Sequence, residues 1–133
     1  MDIYCRIGGQ GDPVLLLHGF PQTHVMWADI ASALSENFTV ICSDLRGYGA
    51  SSKPRGVDNY SFREMGKDQI ALMRYFGFDE FHLVGHDRGG RVAHRIALDF
   101  TDRHTLNENI RCCIISSEGL IFETILKFFL VKI

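Results

Sequence analysis

The chain has 133 residues, 46% of them hydrophobic and 23% charged, a composition typical of one soluble globular domain. Its net charge of −2 excludes the strongly basic surface that nucleic-acid binding requires. The first residues lack the basic and then apolar layout of a signal peptide, and no apolar run is long enough to span a bilayer. We therefore expect a cytoplasmic protein with no nucleic-acid partner and no membrane segment.

Cysteine usage agrees with that expectation. The four cysteines are Cys5, Cys42, Cys112 and Cys113, and none belongs to a Cys-x-x-Cys pair or has a histidine spacing that suggests zinc. We expect reduced, mostly buried thiols, no metal and no cofactor.

Short apolar runs alternate with helical patterns along the chain. The predicted strands are residues 4–7, 14–18, 38–42, 81–85 and 110–115. Three helices are predicted. The first covers residues 26–34, the second begins at the capping box Ser61-x-x-Glu64, and the third runs from the residues after Asp87 to Phe100. Strands that alternate with helices predict an α/β fold, with a parallel sheet covered by helices on both faces.

The segment Gly85-His86-Asp87-Arg88-Gly89 lies between a buried strand and a helix. A sharp turn from strand to helix needs small flanking residues, and Gly85 and Gly89 meet that need. The turn places Asp87 at its tip, and the free N–H groups of the following helix favour negative charge there.

This segment resembles the nucleophile elbow of α/β-hydrolases, with Asp where esterases carry Ser. The turn His18-Gly19-Phe20-Pro21 is similar to the HGxP turn of that superfamily, and the loop of residues 44–51 is similar to the one that follows its next strand. The resemblance is to the branch of haloacetate dehalogenases and epoxide hydrolases, and it covers about residues 4–103. It implies that Asp87 is the nucleophile and that the backbone N–H groups of Phe20 and Arg88 form the oxyanion hole.

An aspartate nucleophile restricts the chemistry. A carboxylate with a reference pKa of roughly 3.9 is ionised at neutral pH without a base. It can displace halide from a saturated carbon or open an epoxide, which forms an ester on Asp87 that water then hydrolyses. The residue type therefore favours cleavage at sp³ carbon over ordinary ester hydrolysis.

Three further residues are candidates for substrate binding. Arg88 and Arg91 are one helical turn apart, so both guanidinium groups can reach the same small carboxylate, as the resemblance to haloacetate dehalogenases also implies. The alternative is that Arg91 is a solvated helix residue and that Arg88 only shapes the elbow. Trp27 either lines the pocket or packs in the core.

The resemblance also implies parts with no counterpart in the sequence. These are an acid after the next strand, a helical cap and a late histidine that activates water. Residues 116–118 hold Glu118 where the family has Asp, and His104 is predicted to lie far from the elbow, because a helix rises about 1.5 Å per residue. Residues 104–133 are interpreted as a divergent tail behind a truncated hydrolase core that lacks the cap.

The sequence thus predicts a hydrolase similar to haloacetate dehalogenases, acting on a small halo-carboxylate. This chain is expected to be weakly active or inactive. The alternatives are an epoxide hydrolase and a non-catalytic remnant or anion-binding module. Unless residues 110–115 pair with the strand at 81–85, that strand is an exposed edge, which also favours a homodimer.

Overall fold

The computed structural model describes residues 1–100 and 110–115. Within them the strands are β1 (Cys5–Gly8), β2 (Asp12–Leu17), β3 (Phe38–Ser43), β4 (Phe81–His86) and β5 (Ile110–Ile115). The α-helices are α1 (Ala28–Leu34), α2 (Phe62–Tyr75) and α3 (Arg88–Phe100), and 3₁₀ helices lie at His24–Trp27 and Val57–Tyr60.

The strands form one sheet in the order β1-β3-β2-β4-β5. β1 runs antiparallel to β3, and every other neighbouring pair is parallel. Leu17, the last residue of β2, is level with Ser43 of β3 on one side and Gly85 of β4 on the other. The loops after these three strands therefore leave the sheet at one edge, where the chain order reverses and where open α/β sheets bind ligands.

Both faces of the sheet are covered, as the sequence predicts. Leu15 and Leu17 point to the face on which α2 and α3 pack, whereas Val14 and Leu16 point to the face that α1 covers. All four side chains are fully buried, which explains why the sequence of β2 shows no alternation of polar and apolar residues. The predicted α/β architecture is confirmed.

One predicted element differs in detail. The helix predicted at residues 26–34 starts as the 3₁₀ turn His24–Trp27, and its α-helical part begins only at Ala28. The strand predicted at residues 110–115 is β5, and it pairs with β4 along its whole length, so the condition under which β4 would be an exposed edge does not hold. The predicted boundary after residue 103, the tail from residue 116 onward, His104 and Glu118 all lie outside the described residues.

None of the helices described for residues 1–100 is both long and apolar enough to cross a membrane.

We predict that Ser61→Ala lowers the free energy of unfolding by about 1 kcal/mol. The Ser61 side chain accepts a hydrogen bond of 3.2 Å from the Glu64 N–H at the start of α2, and alanine leaves that N–H without its cap. Urea unfolding measures the change, and Ser32→Ala on the exposed side of α1 is the control. Equal stability of the two variants would contradict the capping role.

Candidate active site

Asp87 occupies the tip of the turn between β4 and α3. Its φ of +51° is the only positive value for a non-glycine residue in the described part of the chain. A Cβ atom on Gly85 would overlap the backbone of Gly89, and one on Gly89 would overlap the carbonyl of Leu17. The two glycines are therefore needed because neighbouring backbone passes too close to leave room for a side chain. This packing holds Asp87 in a strained conformation.

The turn after β2 lies against this tip. The Phe20 N–H donates to Oδ2 of Asp87 at 3.0 Å, and the Gln22 N–H donates to the Gly19 carbonyl at 2.9 Å, which closes the turn. The peptide bond between Phe20 and Pro21 is cis. The family resemblance predicts that the HGxP turn and the elbow lie together, because it implies that each donates one N–H group to the oxyanion hole. In the structure the two segments are in direct contact.

The electrostatics of the tip favour an ionised carboxylate. The hydrogen bond from the Phe20 N–H is the largest influence and lowers the pKa of Asp87. Burial acts in the opposite direction, but the Arg88 N–H and the charges of His86 and Arg91 lower the pKa further. The net result is an Asp87 pKa below its ordinary value, with both predicted oxyanion donors directed at this carboxylate.

His18 braces the turn. Its ring is fully buried, its Nδ1 is 2.9 Å from the Gly19 carbonyl, and its Nε2 accepts from the Leu45 N–H at 3.0 Å. Burial is the main cause of a lowered His18 pKa. Because one ring nitrogen accepts while the other donates, the hydrogen bonds match a neutral imidazole.

Asp44 connects the loop after β3 to the segment after the HGxP turn. It is 1% exposed and accepts from the His24 N–H at 2.7 Å, the His24 Nδ1 at 2.8 Å and the Ala50 N–H at 3.0 Å. Burial is the largest influence and raises its pKa, yet these hydrogen bonds together lower it. The sequence alone predicts that Asp44 either orients the arginines or accepts loop hydrogen bonds, and these contacts are of the second kind. The sequence predicts only a packing or surface role for its partner His24, because a contact across 20 positions leaves no local signal.

The two arginines follow Asp87 at the start of α3. The Cζ atom of Arg88 lies 5.9 Å from the centroid of the Phe20 ring. Arg91 is exposed and lies close enough to Asp87 for its charge to lower the pKa of the carboxyl group. The Arg91 charge thus acts on the predicted nucleophile, the Arg88 guanidinium lies over the Phe20 ring, and the role of both in binding stays a prediction.

Trp27 lies in the core and not beside Asp87. Its side chain is 0% exposed and belongs to the core between β2, β3 and α1, which favours the core role over the pocket role. It also contributes to a cavity of about 460 Å³ whose lining includes Arg6, His24 and Cys42 but not Asp87. In the described residues, no group of three or more His, Cys, Asp or Glu side chains is arranged to hold a metal ion.

Comparison with known proteins agrees with this geometry. A sequence model of the alpha/beta hydrolase fold matches residues 12–129. The chain therefore belongs to the alpha/beta hydrolase family.

Individual relatives within this family carry more specific names. A fluoroacetate dehalogenase from Burkholderia sp is 60% identical over 103 residues, which are 75% of this chain and 34% of that protein. A soluble epoxide hydrolase from Corynebacterium sp. (strain C12) is 44% identical over 94 residues, 71% of this chain and 32% of that protein. A solved epoxide hydrolase from an endophytic Streptomyces superposes with a TM-score of 0.79 at 29% identity, over 89% of this chain and 34% of that one. The chain spans about a third of the length of the curated relatives that it matches.

We predict that Asp87 titrates below the ordinary aspartate value of roughly 3.9. Because its folded-state pKa is lowered, the ionised group stabilises the fold above the unfolded-state pKa. That contribution is lost as the pH falls through the folded-state pKa. A ¹³C NMR titration of the carboxyl signals, assigned with Asp87→Asn, measures the midpoint. A midpoint at or above the ordinary value would contradict the hydrogen-bonding argument.

Proposed function

We propose that this chain carries the nucleophile half of a hydrolase that acts on a small halo-carboxylate through an ester on Asp87. One observation supports this most: the carboxylate of Asp87 receives N–H donors from Phe20 and Arg88. Serine hydrolases direct such donors at a substrate oxygen. Here they are directed at the nucleophile itself, which suits a mechanism in which the oxyanion forms on the aspartate.

The first step is a displacement at saturated carbon. Oδ1 of Asp87 attacks the carbon next to the substrate carboxylate, a C–O bond forms, and the carbon–halogen bond breaks with its electron pair leaving as halide. The carboxyl group of Asp87 becomes an ester. Oδ2 becomes the ester carbonyl oxygen, and it is already 3.0 Å from the Phe20 nitrogen.

The second step is hydrolysis of that ester. Water adds to the carbonyl carbon, negative charge develops on Oδ2, and the two N–H groups stabilise it. Collapse releases the hydroxy acid and restores Asp87. This step needs a base to accept the proton from water, and His18 does not supply it because both its ring nitrogens already have partners. We infer that this chain forms the ester faster than it hydrolyses it.

The arginines give the proposal its substrate class. Two guanidinium groups that extend from the first turn of α3 repel cations and attract a diffusible carboxylate, and the planar arginine fork matches carboxylate geometry. A relative of 60% identity over 103 residues is a fluoroacetate dehalogenase, which agrees with this chemistry. A halo-carboxylate brings both the leaving group and the anion that the arginines bind.

The alternative activity is epoxide hydrolysis. It uses the same Asp87 and the same turn at Phe20, and a soluble epoxide hydrolase is 44% identical over 94 residues. An epoxide carries no carboxylate, so that reaction leaves the paired arginines without a role in binding. Styrene oxide as substrate distinguishes the two activities.

The alternative from another class is a non-catalytic remnant or anion-binding module. It keeps the positive charge of Arg88 and Arg91 but forms no bond to Asp87. It predicts that carboxylates bind while no halide is released and no adduct forms. A homodimer is compatible with each of these functions, and analytical ultracentrifugation tests it.

The first experiment is the intact mass of the folded chain after incubation with excess chloroacetate, with Asp87→Asn and Asp79→Asn in parallel. We expect an adduct on the parent and on Asp79→Asn but not on Asp87→Asn. Hydroxylamine should release it, because it cleaves an ester and leaves a cysteine thioether intact. Little halide should be released beyond one equivalent.

Other outcomes select among the alternatives. Sustained halide release would show that this chain supplies its own base. An adduct from styrene oxide but none from chloroacetate would favour the epoxide hydrolase, and no adduct from either would favour the remnant.

We also predict that Arg91→Gln slows the reaction of Asp87 with chloroacetate roughly ten- to hundredfold, the effect of losing one charge-assisted hydrogen bond. The reaction with neutral chloroacetamide should change little, because it lacks the carboxylate. Peptide mass mapping restricts the measurement to Asp87, and Arg55→Gln on the exposed loop is the control. Equal slowing with both reagents would indicate a general disturbance of the elbow instead.

A further inference from the structure

The Phe20 side chain has no explanation in the proposed mechanism. Its backbone N–H holds Asp87, and any residue except proline could provide that group. Yet Phe20 is 63% exposed, although His18, two residues earlier in the same turn, is fully buried. The ring therefore gains little of the stabilisation that burial of a phenylalanine side chain provides.

The ring lies at one end of a series of aromatic contacts. Phe20 meets Tyr48 edge to face, with 6.5 Å between ring centroids and 80° between ring planes. Tyr48 meets the His18 ring in the same manner at 5.1 Å and 69°. Since both ring nitrogens of His18 are held by hydrogen bonds, one as donor and one as acceptor, the series connects the exposed Phe20 ring to a fixed, buried ring.

The Phe20 ring also contacts a cation, the guanidinium of Arg88. The 5.9 Å between Cζ of Arg88 and the ring centroid lies within the range of a cation–π contact. A free arginine side chain samples many rotamers, and a ligand that orders the guanidinium must overcome the loss of that conformational entropy. A contact that orders Arg88 beforehand removes part of that cost.

We propose that Phe20 is a positioning residue whose ring holds the Arg88 guanidinium at the turn that contacts Asp87 and so increases affinity for small carboxylates. The inference deepens the proposed function and rests on it for the identity of the ligand. Phe20 then acts twice at one position: its amide fixes the nucleophile and its ring fixes the anion-binding cation. Tyr48 from the loop after β3 packs edge to face against the same ring.

The test uses acetate, a carboxylate that cannot alkylate Asp87. NMR titrations of the parent, Phe20→Leu, Phe20→Tyr and Val57→Ala give the acetate dissociation constant and the shifts of the Arg88 side-chain protons. We expect Phe20→Leu to weaken acetate binding about two- to fivefold, the effect of one exposed cation–π contact. The ring-current shift of Arg88 should vanish in that variant. Phe20→Tyr keeps the ring and should match the parent, as should Val57→Ala, which removes an unrelated exposed side chain.

A double-mutant cycle separates positioning from general support of the turn. If the ring acts through Arg88, Phe20→Leu has no further effect on acetate binding once Arg88→Gln is present. An equal loss in both backgrounds would overturn the proposal, and so would unchanged binding in Phe20→Leu or an Arg88 signal without a ring-current shift. A parent that binds acetate through this contact but forms no adduct with chloroacetate would disprove the proposed chemistry and leave the inference intact. A parent that binds no acetate would disprove both.

Discussion

The arrangement depends on one hydrogen bond, from the Phe20 N–H to Oδ2 of Asp87. It joins the segment after β2 to the segment after β4, two neighbouring strands of the sheet, and its two residues are 67 positions apart in the sequence. It orients the carboxylate and lowers its pKa, and in the proposed mechanism it decides which oxygen attacks and which carries the later negative charge. The parallel pairing of β2 with β4 and the buried side chains that fix their register all serve to make this contact reproducible.

The loop after β3 holds the segment that donates the Phe20 N–H to Asp87. The Leu45 N–H reaches the His18 ring, and the Asp44 carboxylate holds the His24 backbone and ring. The segment that donates to Asp87 is thus fixed at both ends by one neighbouring loop. Arg46 fixes that loop in turn, because its guanidinium donates to both oxygens of Asp68 on α2 at 2.6 and 2.7 Å. The geometry of the candidate site therefore depends on elements that do not touch the nucleophile.

The sequence predicted those parts of the fold that depend on residues close together in the chain. Buried strands, the capping box at Ser61 and the glycines around Asp87 leave signals within a few residues, and each element was found where it was predicted. The contacts from His24 to Asp44, from Phe20 to Arg88 and from Arg46 to Asp68 were not foreseen, because they join side chains that are distant in the sequence. Trp27 shows the same limit: its spacing from the HGxP turn fits a pocket or a core equally well, and only its burial favours the core.

The close packing of Gly19 has a consequence for how such a site diversifies. A Cβ atom at this position would lie 2.8 Å from the Cβ of Asp87, so turn and elbow already touch and neither can shift towards the other. New substrates cannot be accommodated by moving the backbone. Variation is confined to side chains that extend beyond the framework, such as those of Phe20, Arg88 and Arg91. Under the proposed function, the backbone stays fixed and a few replaceable side chains decide which molecule reaches the Asp87 carboxylate.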